Sequence, residues 1–158
     1  MSSAPAALGA PRVHLRTTSS TNDRARELAL AGAPHGTLVT ASAQTAGRGR
    51  GGRSWSAPPG SSLLVSLLLR SPPRLLPLIA PLAVSDVAGA QARIKWPNDV
   101  VVIDGEQLRK LAGILIEGRP QEGWAVLGIG LNVAVELADL PAELRATAAT
   151  LGLPRSEI

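Results

Sequence analysis

A chain of 158 residues with 16 basic and 12 acidic side chains, a formal charge of +4, a pI of 11.0 and no cysteine fits a single domain and excludes thiolate, disulfide and zinc-thiolate chemistry. No apolar run nears the roughly 18 residues that span a bilayer, and no basic segment followed by an apolar one opens the chain, so a cytoplasmic protein with no membrane partner is expected. The positive excess lies in arginine, with Lys95 and Lys110 the only lysines and no Phe or Tyr to stack bases, so charge alone does not make a nucleic-acid binder.

Residues 1–11 are small, uncharged and proline-containing, which predicts a disordered leader ahead of one domain over 12–158. Alternation over 13–17 predicts a short strand. Ser20 and Asp23 have the spacing of a capping box, opening a helix through residues 24–31 that Gly32 and Pro34 terminate. Helix N-termini favour Ser20, Thr21 and Asn22 for local reasons, so these three by themselves imply no ligand. The β-branched, apolar segment 37–42 predicts a buried strand and 62–69 a second, joined by the loop 44–55, Q-T-A-G-R-G-R-G-G-R-S-W. In it Arg48, Arg50 and Arg53 sit among Gly47, Gly49, Gly51 and Gly52. Glycine lets backbone N–H groups approach a ligand closely, and guanidinium grips carboxylate or phosphate bidentately, so the loop reads as a flexible anion grip that closes on its ligand. A basic surface loop, or an arginine-glycine segment that adheres to nucleic acid, explains the same residues.

Helical apolar content over 74–88 is interrupted by Pro77 and Pro81, which predicts a short or kinked helix. Residues 93–95 read as a strand that runs into the turn Trp96-Pro97-Asn98-Asp99, followed by a strand over 100–103 and a hairpin turn at Asp104-Gly105. Two more strands, 111–117 and 124–132, flank a turn at 119–123; 141–151 is a weak helix, and 153–158 is the cap and first turn of another. No P-loop is present, and Gly128-Ile129-Gly130 fails as a dinucleotide fingerprint because Val133 stands where the third glycine belongs. There is no G-x-S-x-G elbow and no cluster of metal ligands. His14 and His35 lie away from any motif and read as structural, and Trp124 as core.

Taken in order, S-S-T-N (19–22), the arginine-glycine segment (44–55), K-W-P-N-D (95–99), K-L-A-G-I-L (110–115) and G-I-G-L-N (128–132) resemble the catalytic domain of biotin protein ligases, over residues 12 to about 153. The resemblance implies an α+β fold, a mixed and mainly antiparallel sheet with helices packed on one face. It implies an enzyme that makes biotinyl-5′-AMP from biotin and ATP, with Mg²⁺ carried by the nucleotide and no metal site of the protein's own. Biotin then passes to a lysine of a biotin carboxyl carrier domain. Ser20, Thr21, Asn22, Gln44, Arg48, Gly49, Arg50 and Lys95 would contact biotin, and Arg50, Arg53, Trp55, Asn98 and Asn132 the nucleotide. Lys95 and Arg50 would be catalytic, beside the reacting carboxylate and α-phosphate. Relatives usually continue beyond the last helix seen here, often into a small β-barrel, and some carry an N-terminal DNA-binding domain. Neither is evident in this sequence, so a truncated catalytic domain without specific DNA binding is expected, and a homodimer is compatible with it. A lipoate ligase of the same fold, or a nucleic-acid-binding module built on the arginine loop, is the alternative.

Overall fold

The computed structural model describes residues 7–158, so the first six residues of the expected leader lie outside it. Its described end is tied down at Gly9, whose N–H donates to Gly36 O (2.8 Å). The domain then runs β1 (Arg12–Leu15), α1 (Thr21–Leu30), β2 (Leu38–Ala41), β3 (Ser62–Arg70), α2 (Leu76–Ala88), β4 (Arg93–Lys95), β5 (Asp99–Asp104), β6 (Gln107–Arg119), β7 (Trp124–Asn132) and the short helix α3 (Ala142–Arg145). The seven strands form one sheet in the order β1-β2-β3-β7-β6-β5-β4. Only β1 and β2 pair in parallel, as a strand–helix–strand crossover through α1 requires; every other pairing is antiparallel.

The mixed, mainly antiparallel sheet is the one expected, with one correction. The two longer helices do not share a face. Side chains alternate along a strand, and Leu68 of β3, opposite Val126 of β7, packs with Ala25 and Ala29 of α1. The next residue, Leu69, opposite Ala125, packs instead with Leu76, Ala80 and Val84 of α2. Both faces of the central strands must therefore be apolar, which is why β3 reads almost continuously hydrophobic except at Ser62 and Ser66. Those two serines lie on the α1 side, where the site is built. Among the described residues no helix is long and apolar enough to cross a membrane.

Neither proline shortens α2 as expected. Pro77 falls in the first turn, where its missing N–H has no helical partner to lose, and Pro81 lies on the buried face while the helix continues about two further turns. The weak helix over 141–151 is helical only over Ala142–Arg145. After it the backbone is drawn to β6, where Lys110 N–H donates to Thr147 O (2.6 Å) and Ala149 N–H to Lys110 O (2.7 Å). The reason is a β-bulge: Val100 pairs with Ala112 but Val101 with Lys110, so Leu111 is an extra residue on β6. Leu111 and Ala112 both enter the core on the α2 side, and Lys110 turns to the opposite face.

The C-terminus of α1 is closed by Arg70 from β3. Its Nη2 donates to Ala29 O (2.8 Å) and Ala33 O (2.7 Å), and its Nε to Ala33 O (3.2 Å). A guanidinium there satisfies orphan carbonyls and complements the negative end of the helix. Arg70→Met is expected to keep the aliphatic packing and lose about 1–3 kcal/mol of stability, read as a lower urea midpoint at unchanged slope.

Candidate active site

The site lies on the α1 face of β3, β7 and β6, where the strands present almost no bulk. Gly128 sits beneath Asn22, and a Cβ there would overlap the Asn22 carboxamide. Gly130 and Gly113 lie under the Trp55 indole, where an added Cβ would stand 2.5 and 3.0 Å from ring carbons. These glycines hollow out the sheet surface, leaving a pocket of about 350 Å³, within the usual range for small-molecule sites.

One end of the pocket is uncharged and polar. Ser20, Thr21 and Asn22, all buried, are delivered by the N-terminus of α1. Ser20 is the N-cap residue, yet its side chain makes no capping bond, and Asp23 is engaged by arginines instead of completing the predicted box. Gln44 Oε1 accepts from Thr21 N–H (2.8 Å) and lies 3.1 Å from Thr21 Oγ1. The buried Ser66 hydroxyl lies 2.6 Å from Asn22 Oδ1 and 2.8 Å from Thr21 Oγ1. Asn22 Nδ2 donates to Leu115 O (3.3 Å) and Glu117 Oε2 (2.9 Å). Each polar group is thus oriented by a second, which holds the cluster rigid.

The other end is cationic. The loop after β2 is folded rather than slack: Gly49 N–H donates to Arg53 O (2.6 Å), Trp55 N–H to Gly47 O (2.9 Å), and Arg50–Gly52 forms a 3-10 turn with Gly51 at φ 68°. That φ lies in the left-handed region, which glycine enters without strain. Arg48, Gly49, Arg50, Arg53 and Trp55 line the pocket from this loop. Arg48 is bound on both sides, donating to Asp23 Oδ1 (2.6 Å) and Glu117 Oε1 (2.7 Å); its pKa is raised, chiefly by the hydrogen bond it donates to Asp23 and further by both carboxylate charges, against a lowering by burial. Across the pocket Asn98 Nδ2 donates to Ile114 O (3.2 Å), and the exposed Lys95 sits at the rim.

Of the residues singled out in the sequence, Ser20, Thr21, Asn22, Gln44, Arg48, Gly49, Arg50, Arg53, Trp55, Lys95 and Asn98 converge on this one pocket. Asn132 does not. It lines a smaller adjoining cavity, and its amide is engaged within the protein, Nδ2 donating to Ala149 O (2.9 Å) and Oδ1 accepting from Ser62 Oγ (3.2 Å). Sequence reasoning missed Lys110, which the β6 bulge turns into the pocket. Its Nζ lies 2.7 Å from Asp99 Oδ1 and 5.6 Å from the Trp55 ring centroid, a cation–π arrangement. The K-L-A-G-I-L segment pointed to the region, but not to its lysine as a site cation. Trp55 Nε1 is buried without a hydrogen-bond partner among the described residues, an unused donor at the pocket wall.

A polar cluster, apolar side chains from Leu64 and Leu115, and a cationic loop therefore line a single cavity. Residues 14–133 match the biotin/lipoate A/B protein ligase family. The chain belongs to that family. Among its relatives, the bifunctional ligase/repressor BirA of Bacillus subtilis is 40% identical over 162 residues, covering 95% of this chain and 49% of that protein. The biotin–[acetyl-CoA-carboxylase] ligase of Mycobacterium tuberculosis is 41% identical over 130 residues, covering 73% of this chain and 47% of the relative. The chain thus spans about half the length of these curated relatives. In structure it is similar to the biotin protein ligase of Aquifex aeolicus in complex with biotin and ATP, with a TM-score of 0.74 and 32% identity over 92% of this chain and 64% of that one. The Leishmania major ligase in complex with biotinyl-5-AMP gives a TM-score of 0.73 at 27% identity, over 92% of this chain and 65% of that one. A lipoate protein ligase of Thermoplasma acidophilum shares the fold at 15% identity and a TM-score of 0.50.

Proposed function

We propose that this domain joins biotin to AMP and passes the biotinyl group to a lysine of a biotin carboxyl carrier domain. The observation that carries this reading is the division of one cavity into an uncharged hydrogen-bonding end, an apolar middle and a cationic end. Biotin has the matching sequence of parts: a ureido ring with donors and acceptors, an aliphatic chain and a carboxylate. Ser20, Thr21, Asn22 and Gln44 would meet the ring, and Leu64 and Leu115 the chain. Arg50, Arg53, Lys95 and Lys110 would meet the carboxylate and the phosphates, with Trp55 and Asn98 toward the nucleotide.

In the first step a carboxylate oxygen attacks the α-phosphorus of ATP and pyrophosphate leaves, with Mg²⁺ arriving on the nucleotide as part of the substrate. Two anions must meet and further charge spreads over the phosphoryl oxygens, so fixed cations lower the barrier. In the second, the carrier lysine's amine attacks the acyl carbon, AMP departs with the bridging oxygen, and the amine's proton goes to solvent or base. The adenylate is a mixed anhydride, and the folded arginine loop would shield it from water.

Biotin-dependent exchange of labelled pyrophosphate into ATP tests the first step. Exchange driven by biotin and not lipoate supports the reading over the lipoate alternative, whose structural support extends to the fold alone. Folded protein that shows no exchange, but binds any polynucleotide with a steep salt dependence, would replace it with the nucleic-acid reading. Arg50→Ala is expected to lower exchange by about 10²–10³ with little change in melting temperature, because Arg50 is exposed and its charge faces the pocket.

A further inference from the structure

Two carboxylates behind the pocket lining have no part in the ligand contacts just described. Asp23, in the first turn of α1, and Glu117, on β6, grip the Arg48 guanidinium from two sides at 2.6 and 2.7 Å. One loop side chain is thereby joined to elements 25 and 69 residues away in sequence. Glu117 also uses its second oxygen to accept from Asn22 Nδ2 (2.9 Å), so a single carboxylate orients the polar end of the pocket and anchors the cationic loop. It is well placed to do both, with its side chain 19% exposed against 40% for Arg48. Arg26 completes the group at 3.4 Å from Asp23 and 3.9 Å from Glu117, balancing two anions with two cations. Arg50 and Arg53 have no carboxylate partner among the described residues, and Arg53 Nε donates only to Arg50 O (3.1 Å).

Resting on the ligase reading, we propose that Glu117 and Asp23 are positioning residues: they latch the arginine loop shut through Arg48, and Glu117 at the same time fixes the Asn22 amide for biotin. The three arginines of the motif are then unequal. Arg48 is the anchor whose charge is already satisfied, and Arg50 and Arg53 keep theirs for the ligand's anions. Opening the loop breaks two charge-assisted bonds and leaves Arg26 facing two carboxylates. Closure is therefore sensitive to ionic strength, since a partly exposed ion-pair group is screened by salt.

The loop contains its own reporters, because trypsin cuts after Arg50 and Arg53. Wild type, Glu117→Gln and Asp23→Asn are compared by limited trypsin digestion, by thermal melting and by pyrophosphate exchange. Gln keeps an acceptor oxygen for Asn22 while removing the charge that holds Arg48; Asp23→Asn touches a more exposed residue and serves if the first variant fails to fold. Cleavage after Arg50 and Arg53 is expected to rise roughly 3- to 10-fold in both variants at similar melting temperature, because cleavage follows the population of the open loop. Raising salt should speed cleavage of wild type toward the variants and leave the variants unmoved. In exchange assays KM for biotin should rise several-fold with kcat within about twofold for Glu117→Gln, a split that general destabilisation does not give. Cleavage at the wild-type rate in both variants overturns the latch. A wild-type chain without biotin-dependent exchange overturns the ligase reading instead, and the digestion alone then decides the latch.

Discussion

Lys110→Met should lower biotin-dependent pyrophosphate exchange by about 10²–10³, the usual loss when one fixed donor to a developing oxyanion is removed. The family resemblance pointed to Lys95 for this role. In the structure Lys95 is an exposed residue at the rim, whereas Lys110, half-buried, is held in place by Asp99 at 2.7 Å and by the face of Trp55 at 5.6 Å. A cation already fixed in place requires little reorganisation when charge builds on the α-phosphate. Lys95→Met, which removes a cation at the rim with no bond among the described residues to hold it against a developing charge, should cost less than Lys110→Met. Lys110→Arg tests geometry separately from charge, since the planar fork cannot replace a compact ammonium between Asp99 and the indole. The assignment fails if Lys110→Met retains most of the exchange rate, or if the two lysines rank in the opposite order.

What made Lys110 hard to see is instructive about the limits of local pattern. A strand alternates, and from Gly113 and Leu115 on the pocket side, Leu111 should face the pocket and Lys110 the core. The extra residue in β6 reverses that, and the bulge depends on the register with β5 and on the backbone of residues 147–149, neither of which leaves a mark in the K-L-A-G-I-L segment itself. The same distinction runs through the rest of the chain. Strands such as Trp124–Asn132 and Arg93–Lys95 were legible because turn residues delimit them locally, although only the first is buried. The convergence of the α1 N-terminus, the arginine loop and Asn98 was legible only through the order of motifs, since their spacing along the chain says nothing of their distance in space. The resemblance, not the local pattern, put Asn132 with the nucleotide residues. Its side chain in fact ties β7 to β3 and to the segment after α3, bonds that become visible only once those elements are placed. The separation of α1 and α2 onto opposite faces was in principle readable from the double-sided hydrophobicity of β3, whose apolar residues are too many for a sheet covered on one side.

Gly128→Ala is expected to be the most damaging single methyl group that can be added to this protein. Gly128 has no need of unusual backbone freedom, so the effect is one of volume alone. Its Cβ would overlap Asn22 Oδ1 and stand 2.8 and 2.9 Å from Cγ and Nδ2. Asn22 has nowhere to retreat. Its oxygen accepts from Ser66, and its nitrogen is bound by Leu115 O and Glu117, so rotation away from the methyl breaks bonds in a buried site. Overpacking of about 1–3 kcal/mol then adds to about 1–3 kcal/mol for buried polar groups left unpaired, which should lower the melting temperature by roughly 5–15 °C. Biotin binding should weaken at least about 100-fold, since the loss falls on the hydrogen-bonded end of the pocket. Gly130→Ala provides the contrast. There the methyl meets the Trp55 ring at 2.5 Å, and Trp55 belongs to the arginine loop rather than to the buried hydrogen-bonded cluster. Melting should then move little, while the KM for ATP rises more than the KM for biotin. Calorimetric titration of biotin and thermal melts of both variants separate the two sites. A Gly128→Ala protein that melts and binds biotin as wild type does would mean that Asn22 is not the rigid wall of the pocket, and the placement of the ureido ring against it would have to be abandoned.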